Sequence, residues 1–166
     1  MNSSTDQFDI IPSQLHWRVQ RFDELSNDEL YRILRARVEV FVVEQNCPYA
    51  ELDGLDGAAL HVSCLDSDQS DATLLAYARI LPAGHMFDEV AIGRVLTVES
   101  GRGLGLGRVL MRRALDVVVD RFGSVPVRIS AQQYLERFYA SIGFVVDSDV
   151  YLEDGIPHLQ MVLMVR

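Results

Sequence analysis

"VESGRGLGLGRVLMRRAL", residues 98–115, alternates glycine with arginine and leucine and then enters a helical pattern at once. Ser, Thr, Asp and Asn are the usual residues at the mouth of a helix, because their side chains accept bonds from the first free amides. Glycine leaves that backbone bare. Behind it, Leu106, Val109, Leu110, Ala114, Val117 and Val118 recur with a 3.6-residue period, while Arg108, Arg112, Arg113, Asp116 and Asp120 fill the other face. In front lies "VAIGRVLTV", residues 90–98, strand-like and rich in β-branched residues. Strand, glycine loop and arginine-bearing helix make a phosphate-binding unit. The first-turn amides are free and sit at the positive end of the helix dipole. Missing Cβ atoms let phosphate oxygens approach them, and arginine adds charge-assisted hydrogen bonds.

Working outward, "LHWRVQRF" (residues 15–22) predicts a strand. "SNDELYRILRARVEVFVVEQN" predicts an amphipathic helix capped by Ser26 or Asn27. "CPYAELDGLDG" breaks regular structure at Pro48, Gly54 and Gly57. "ALHVSCLD" and "TLLAYARIL" predict a hairpin across "SDQSDA". "VPVRISA" reads as a short buried strand, and "QQYLERFYASIGF" as a helix ended by Gly143. "FVVDSDVYLEDGIPHLQMVLMV" predicts two final strands across an acidic turn. Helices interleaved with two hairpins predict an α/β (α+β mixed) fold, with helices on the faces of a single mixed sheet.

The 166 residues favour one domain over 1–166. "MNSSTDQFDIIPSQ" lacks the basic start and apolar core of a signal peptide, and residues 1–13 read as a flexible polar tail. No apolar run reaches the roughly 18–20 residues of a membrane span. Cys47 and Cys64 suit two reduced thiols in a cytoplasmic protein better than a disulfide, and no spacing suggests a metal site. The net charge of −9 opposes nucleic acid and anionic membranes and favours a cationic partner, or it serves solubility alone. All 15 basic residues are arginine. A P-loop is excluded, because G-x-x-x-x-G-K-[ST] requires lysine. The dinucleotide fingerprint G-x-G-x-x-G is unmet, and no early βαβ unit with an acidic residue ending its second strand precedes the glycines.

The pattern that fits is R-x-x-G-x-G, met by Arg102, Gly105 and Gly107. With "RFYASIGF" and the order of elements, it resembles the GNAT acetyltransferase superfamily over nearly the whole chain. "VFVVEQNCPYAELDGLD", "AYARIL", "IGRV", "SAQ" and "VYLEDGIPH" resemble its ElaA-like branch. The resemblance implies a GNAT fold: a mostly antiparallel sheet of six to seven strands flanked by about four helices. It implies acetyl-CoA as co-substrate and transfer of acetyl to a primary amine, by direct attack in a ternary complex. A non-catalytic acyl-CoA-binding regulatory module, or a nucleotide-binding protein, would keep the same loop.

By the same resemblance, backbone groups of Leu96, Thr97 and Val98 bind the pantetheine arm in a slot between that strand and "VRISA". A β-bulge leaves the register of the polarising N–H between Leu96 and Thr97. Residues 102–107 (Arg102, Gly103, Leu104, Gly105, Leu106, Gly107) and Arg108 hold the pyrophosphate. Tyr139 is the general acid, its phenol protonated at neutral pH; its bland alternative is a core aromatic. Phe138 packs on cofactor or core, and Gln132 and Gln133 bond cofactor or substrate or cap a helix. The base is open among Glu44, His61, Glu51, Asp53 and a water chain. Glu44 follows the apolar run "VFVV", whose desolvation would favour a protonated carboxyl. His61 lies mid-strand, where a structural histidine is the commoner outcome. His158 anchors a turn. The acidic loops "AELDGLDG" and "DSDVYLEDG" flank the amine entrance or are simply solvated, and "LQMVLMV" offers either a dimer edge or core.

Overall fold

A computed structural model describes residues 15–165, so the tail expected over residues 1–13 lies outside the described residues. The strands are β1 His16–Arg21, β2 Leu60–Leu65, β3 Leu74–Leu81, β4 Val90–Thr97, β5 Pro126–Gln132, β6 Val145–Val146, β7 Tyr151–Glu153 and β8 Ile156–Met164. The helices are α1 Asn27–Val38, α2 Leu106–Phe122 and α3 Glu136–Ala140. The strands form one sheet in the order β1-β2-β3-β4-β5-β8-β6, with β7 also paired to β8. Every pairing is antiparallel except β4 with β5, which needs α2 as its crossover.

Four expectations are corrected. The described sheet has 8 strands, because the acidic turn splits the chain after Phe144 into β6 and β7, both lying beside β8. The first predicted helix stops being α-helical at Val38 and continues as a π-helical stretch over Glu39–Glu44. The helix predicted before Gly143 is mostly a 3₁₀ turn, Gln133–Leu135, and the five residues of α3. Nor is "LQMVLMV" an edge: β8 is paired on both sides, to β5 and to β6 and β7.

The starts and stops obey local chemistry. Ser26 Oγ accepts from Glu29 N at 3.2 Å while Glu29 Oε2 accepts from Ser26 N at 2.8 Å, a reciprocal capping box. Gly143 ends α3 at φ +115°, and Phe144 N donates back to Tyr139 O at 3.2 Å. Leu110, Met111, Ala114 and Val118 of α2 bury against Val62, Ala78 and Ile80 of one sheet face. Ile33 and Val40 cover Tyr77 and Leu96 on the other.

β4 and β5 share only two rungs, Val90↔Val127 and Ala91↔Arg128. Beyond them the strands part. β4 also carries a bulge: Tyr77 faces Leu96 and Arg79 faces Gly93, so Arg94 and Val95 stand opposite the single residue Ala78. Arg94 takes the left-handed conformation there, at φ +53°.

Candidate active site

The parting strands open a cleft of about 690 Å³. Leu96 and Thr97 line one wall, Ala131 and Gln132 the other, and Tyr139, Arg102 and Glu44 reach it as well. Val98 N donates to Leu75 O at 3.0 Å, back toward β3. Alternation along the strand therefore turns the Thr97 amide and carbonyl toward the cleft and those of Leu96 toward β3. Between the two positions left open by the sequence, Thr97 is the one facing the gap.

The glycine turn follows. Gly103 and Gly105 adopt φ +80° and +69°, the left-handed region in which a side chain is strained, and nothing lies within 4 Å of where a Cβ would stand. Gly105 is the N-cap of α2, so the free first-turn amides of Leu106, Gly107 and Arg108 open beside bare backbone. Gly101 serves packing instead: a Cβ there would meet Leu75 O at 2.5 Å. These features fit an anion at the turn and an extended, amide-bearing chain in the gap. Leu104 and Leu106 point into the core rather than the cleft.

Arg102 bonds Glu44 Oε2 at 2.6 Å and Thr97 O at 3.3 Å. Arg108 lies over the Phe138 ring, 5.8 Å from its centroid, and donates to Ser141 O. Phe138 packs against Gly107 and edge-on to Tyr139. Tyr139 is 6% exposed and borders the cleft; burial pushes its phenol up to about 12. Gln132 donates to Gln45 Oε1 at 2.9 Å, tying β5 to the end of the π-helical stretch. That stretch also carries Glu44, so both contacts across the cleft mouth start from one irregular turn.

The structure removes His61 from the set. It is 0% exposed, lies away from the cleft, and has both ring nitrogens engaged: Nδ1 with Tyr77 Oη at 2.7 Å and Nε2 with Asp56 O at 3.1 Å. The carbonyl can only accept, so Nε2 carries the proton and Nδ1 accepts from the phenol. Burial lowers the pKa of this imidazole and holds it neutral. Glu44 reaches the cleft, but its side chain is 35% exposed and paired with Arg102.

Glu51 and Asp53 belong to a buried lattice with Asp56, Arg37, Arg79 and Arg94. Arg37 Nε donates to Glu51 Oε1 at 2.5 Å and its Nη1 to Asp56 Oδ1 at 2.6 Å. Arg79 bonds Asp53 at 2.6 Å and Asp56 at 3.0 Å, and Arg94 holds Glu51 at 2.7 Å. Tyr49 donates to Glu51 Oε2. Burial would raise Asp53, but bonds from Arg79 and the field of Arg94 hold its carboxyl well below the usual range. Three guanidinium groups meet three carboxylates, so the loop "AELDGLDG" presents no net negative field to the cleft. Sequence reasoning missed this lattice; its one signal was arginine on the apolar phase of "LRARVEV" and "AYARIL". The lattice also secures Arg94 in its strained bulge conformation.

A family model described as Acetyltransferase (GNAT) domain matches residues 34–165. The chain is 42% identical over 149 residues to Protein ElaA of Escherichia coli strain K12, covering 89% of this chain and 95% of that protein. Among solved structures, an acyl-CoA N-acyltransferase from Pseudomonas aeruginosa is 44% identical, with 89% of this chain and 98% of that one covered at a TM-score of 0.82. The crystal structure of Escherichia coli ElaA is 40% identical, with 89% and 98% covered at a TM-score of 0.79.

Proposed function

Because the chain belongs to the GNAT acetyltransferase domain family, we propose that it transfers the acetyl group of acetyl-CoA to a cationic primary amine, by direct attack in a ternary complex. The observation that carries this reading is the parting of β4 from β5 beside the glycine turn. Thr97 offers its amide and carbonyl as a missing strand would receive them, which suits the amides of a pantetheine arm. Its N–H polarises the acetyl carbonyl. Arg102, Arg108 and the amides of residues 103–107 hold the pyrophosphate, with Arg102 exchanging Glu44 for the phosphate oxygens. Tyr139 keeps its proton at neutral pH and gives it to the departing sulfur. Cys47 and Cys64 are free thiols, in accord with a cytoplasmic setting.

Thiol release from acetyl-CoA across a panel of amines tests the reading, with Tyr139→Phe alongside. Turnover by the wild type, and a loss of about 100-fold or more in the variant, are the expected results. Coenzyme A binding without turnover on any amine would make the protein a binding module instead. A variant as active as wild type would remove Tyr139 from the general-acid role.

A further inference from the structure

Glu44, Asp53, Glu153 and Asp154 are the carboxylates bordering the cleft. Glu44 is paired with Arg102, and Asp53 with Arg79 and Arg94. Glu153 and Asp154 have no cationic partner among the described residues. Glu153 ends β7 and Asp154 begins the turn to β8. Cys47, three residues beyond the π-helical stretch, reaches that turn, its Sγ donating to Asp154 O at 3.6 Å.

Glu153 is also held in place. Ser130 Oγ donates to Glu153 Oε2 at 2.8 Å. Having given its only proton there, Ser130 accepts one from Tyr151 Oη at 2.5 Å. Tyr151 in turn stacks on His158, 6.1 Å between centroids. This chain from Tyr151 through Ser130 fixes Oε2 and leaves Oε1 without a partner among the described residues. A carboxylate oriented by a hydroxyl donor, without a cationic partner and bordering a cleft, is built to receive a cation.

We propose that Glu153 is the residue that binds the ammonium group of the acceptor and takes its first proton, and that the acceptor is an aliphatic amine carrying a second positive charge rather than a carboxylate. The inference rests on the acetyl-transfer reading above and names the base and substrate class of that site. The ammonium proton passes to Glu153 Oε1 and on to solvent. The freed amine forms its bond to the acetyl carbon as the carbon–sulfur bond breaks. The sulfur leaves with the phenolic proton of Tyr139, and the second proton of the amine restores the phenol. The second charge of the acceptor lies in the field of Asp154, because Glu153 and Asp154 are uncompensated while the arginine lattice bordering the same cleft is neutral.

The test uses 1,4-diaminobutane and 4-aminobutanoate, similar in length and opposite in terminal charge, with wild type and Glu153→Gln. Gln still accepts the Ser130 hydrogen bond, and Ser130→Ala, which frees the carboxylate from its anchor, is the second variant. Expected are a wild-type kcat/KM at least tenfold higher for the diamine, a loss of about 100-fold or more in Glu153→Gln, and a smaller loss in Ser130→Ala. Acetyl-CoA affinity by calorimetry should stay within twofold of wild type. Equal use of both acceptors overturns the substrate class. A Glu153→Gln loss under tenfold, or one matched by weaker acetyl-CoA binding, overturns the role of Glu153. A wild type inert toward every amine overturns the acetyl-transfer reading and this inference together.

Discussion

Replacing Arg37 with methionine should be among the most damaging single changes to this fold. The side chain is 0% exposed and donates to Glu51 Oε1 at 2.5 Å, Asp56 Oδ1 at 2.6 Å and Glu51 O at 3.2 Å. Methionine keeps an apolar stem of similar reach and deletes all three donors. Hydrogen bonds to charged groups contribute about 1.5–3 kcal/mol each, which sets an upper bound of roughly 5–9 kcal/mol. The loss is smaller than that sum, because Glu51 retains Arg94 and Asp56 retains Arg79. Breaking a buried pair on one side typically costs about 3–5 kcal/mol, and that is the expected value. At about 2–4 °C per kcal/mol for a chain of this size, Tm should fall by roughly 6–20 °C. Urea and thermal unfolding followed by circular dichroism measure both quantities. Arg21→Ala is the control: its pair with Asp23 is exposed, and the change should stay within about 0.5 kcal/mol. Combining Arg37→Met with Glu51→Gln should give a coupling of about 0.5–3 kcal/mol. An Arg37→Met loss below about 1 kcal/mol would refute the lattice as a determinant of stability.

Acid should destabilise the protein in two steps. His61 is held neutral by burial, so the unfolded chain binds its proton first and stability falls as pH drops below about 6.5. Asp53 and Asp56 have lowered pKa values, so their contribution is full above about pH 4 and is lost as pH falls further. Urea titrations at several pH values should show the upper step vanish in His61→Asn. Gly101→Ala should destabilise more than Gly105→Ala: the first drives a Cβ into Leu75 O, whereas the second costs only the roughly 1–2 kcal/mol of a left-handed alanine. Equal effects in denaturant would contradict that ranking. Ser26→Ala removes the cap of α1 and should cost about 1 kcal/mol in the same assay.

Much of the architecture was legible because it is local. The 3.6-residue stripe of α2, the "SNDE" cap of α1 and the strand-forming apolar runs of β3 and β4 each declare themselves within a dozen residues. The turn at residues 102–107 was equally readable, since glycine at positive φ and a bare helix start leave their mark in composition. What escaped depends on distance in the chain. Nothing in "LRARV" states that Arg37 will meet residues 14 and 19 positions onward. His61 stayed among the candidate bases, with a structural role the commoner outcome, for the same reason: only the fold puts Tyr77 and a carbonyl on its two nitrogens. The third helix shrank because Gln133–Leu135 turns tightly before Glu136, a change of hydrogen-bond spacing that apolar periodicity does not encode. Glu153 lay inside an acidic string whose members differ only in which of them find an arginine.

The two-rung contact between β4 and β5 makes one sheet out of two blocks, with α2 as the strap between them. A sheet normally exposes unpaired backbone at its rim, where it invites stray strands and aggregation. Here such a rim lies in the middle of the sheet, walled by its own neighbours, in the gap between β4 and β5. The amides along it should exchange with solvent like those of an outermost strand although the residues sit at the centre of the sheet. A free edge kept in this way admits a slender extended guest and refuses a second sheet.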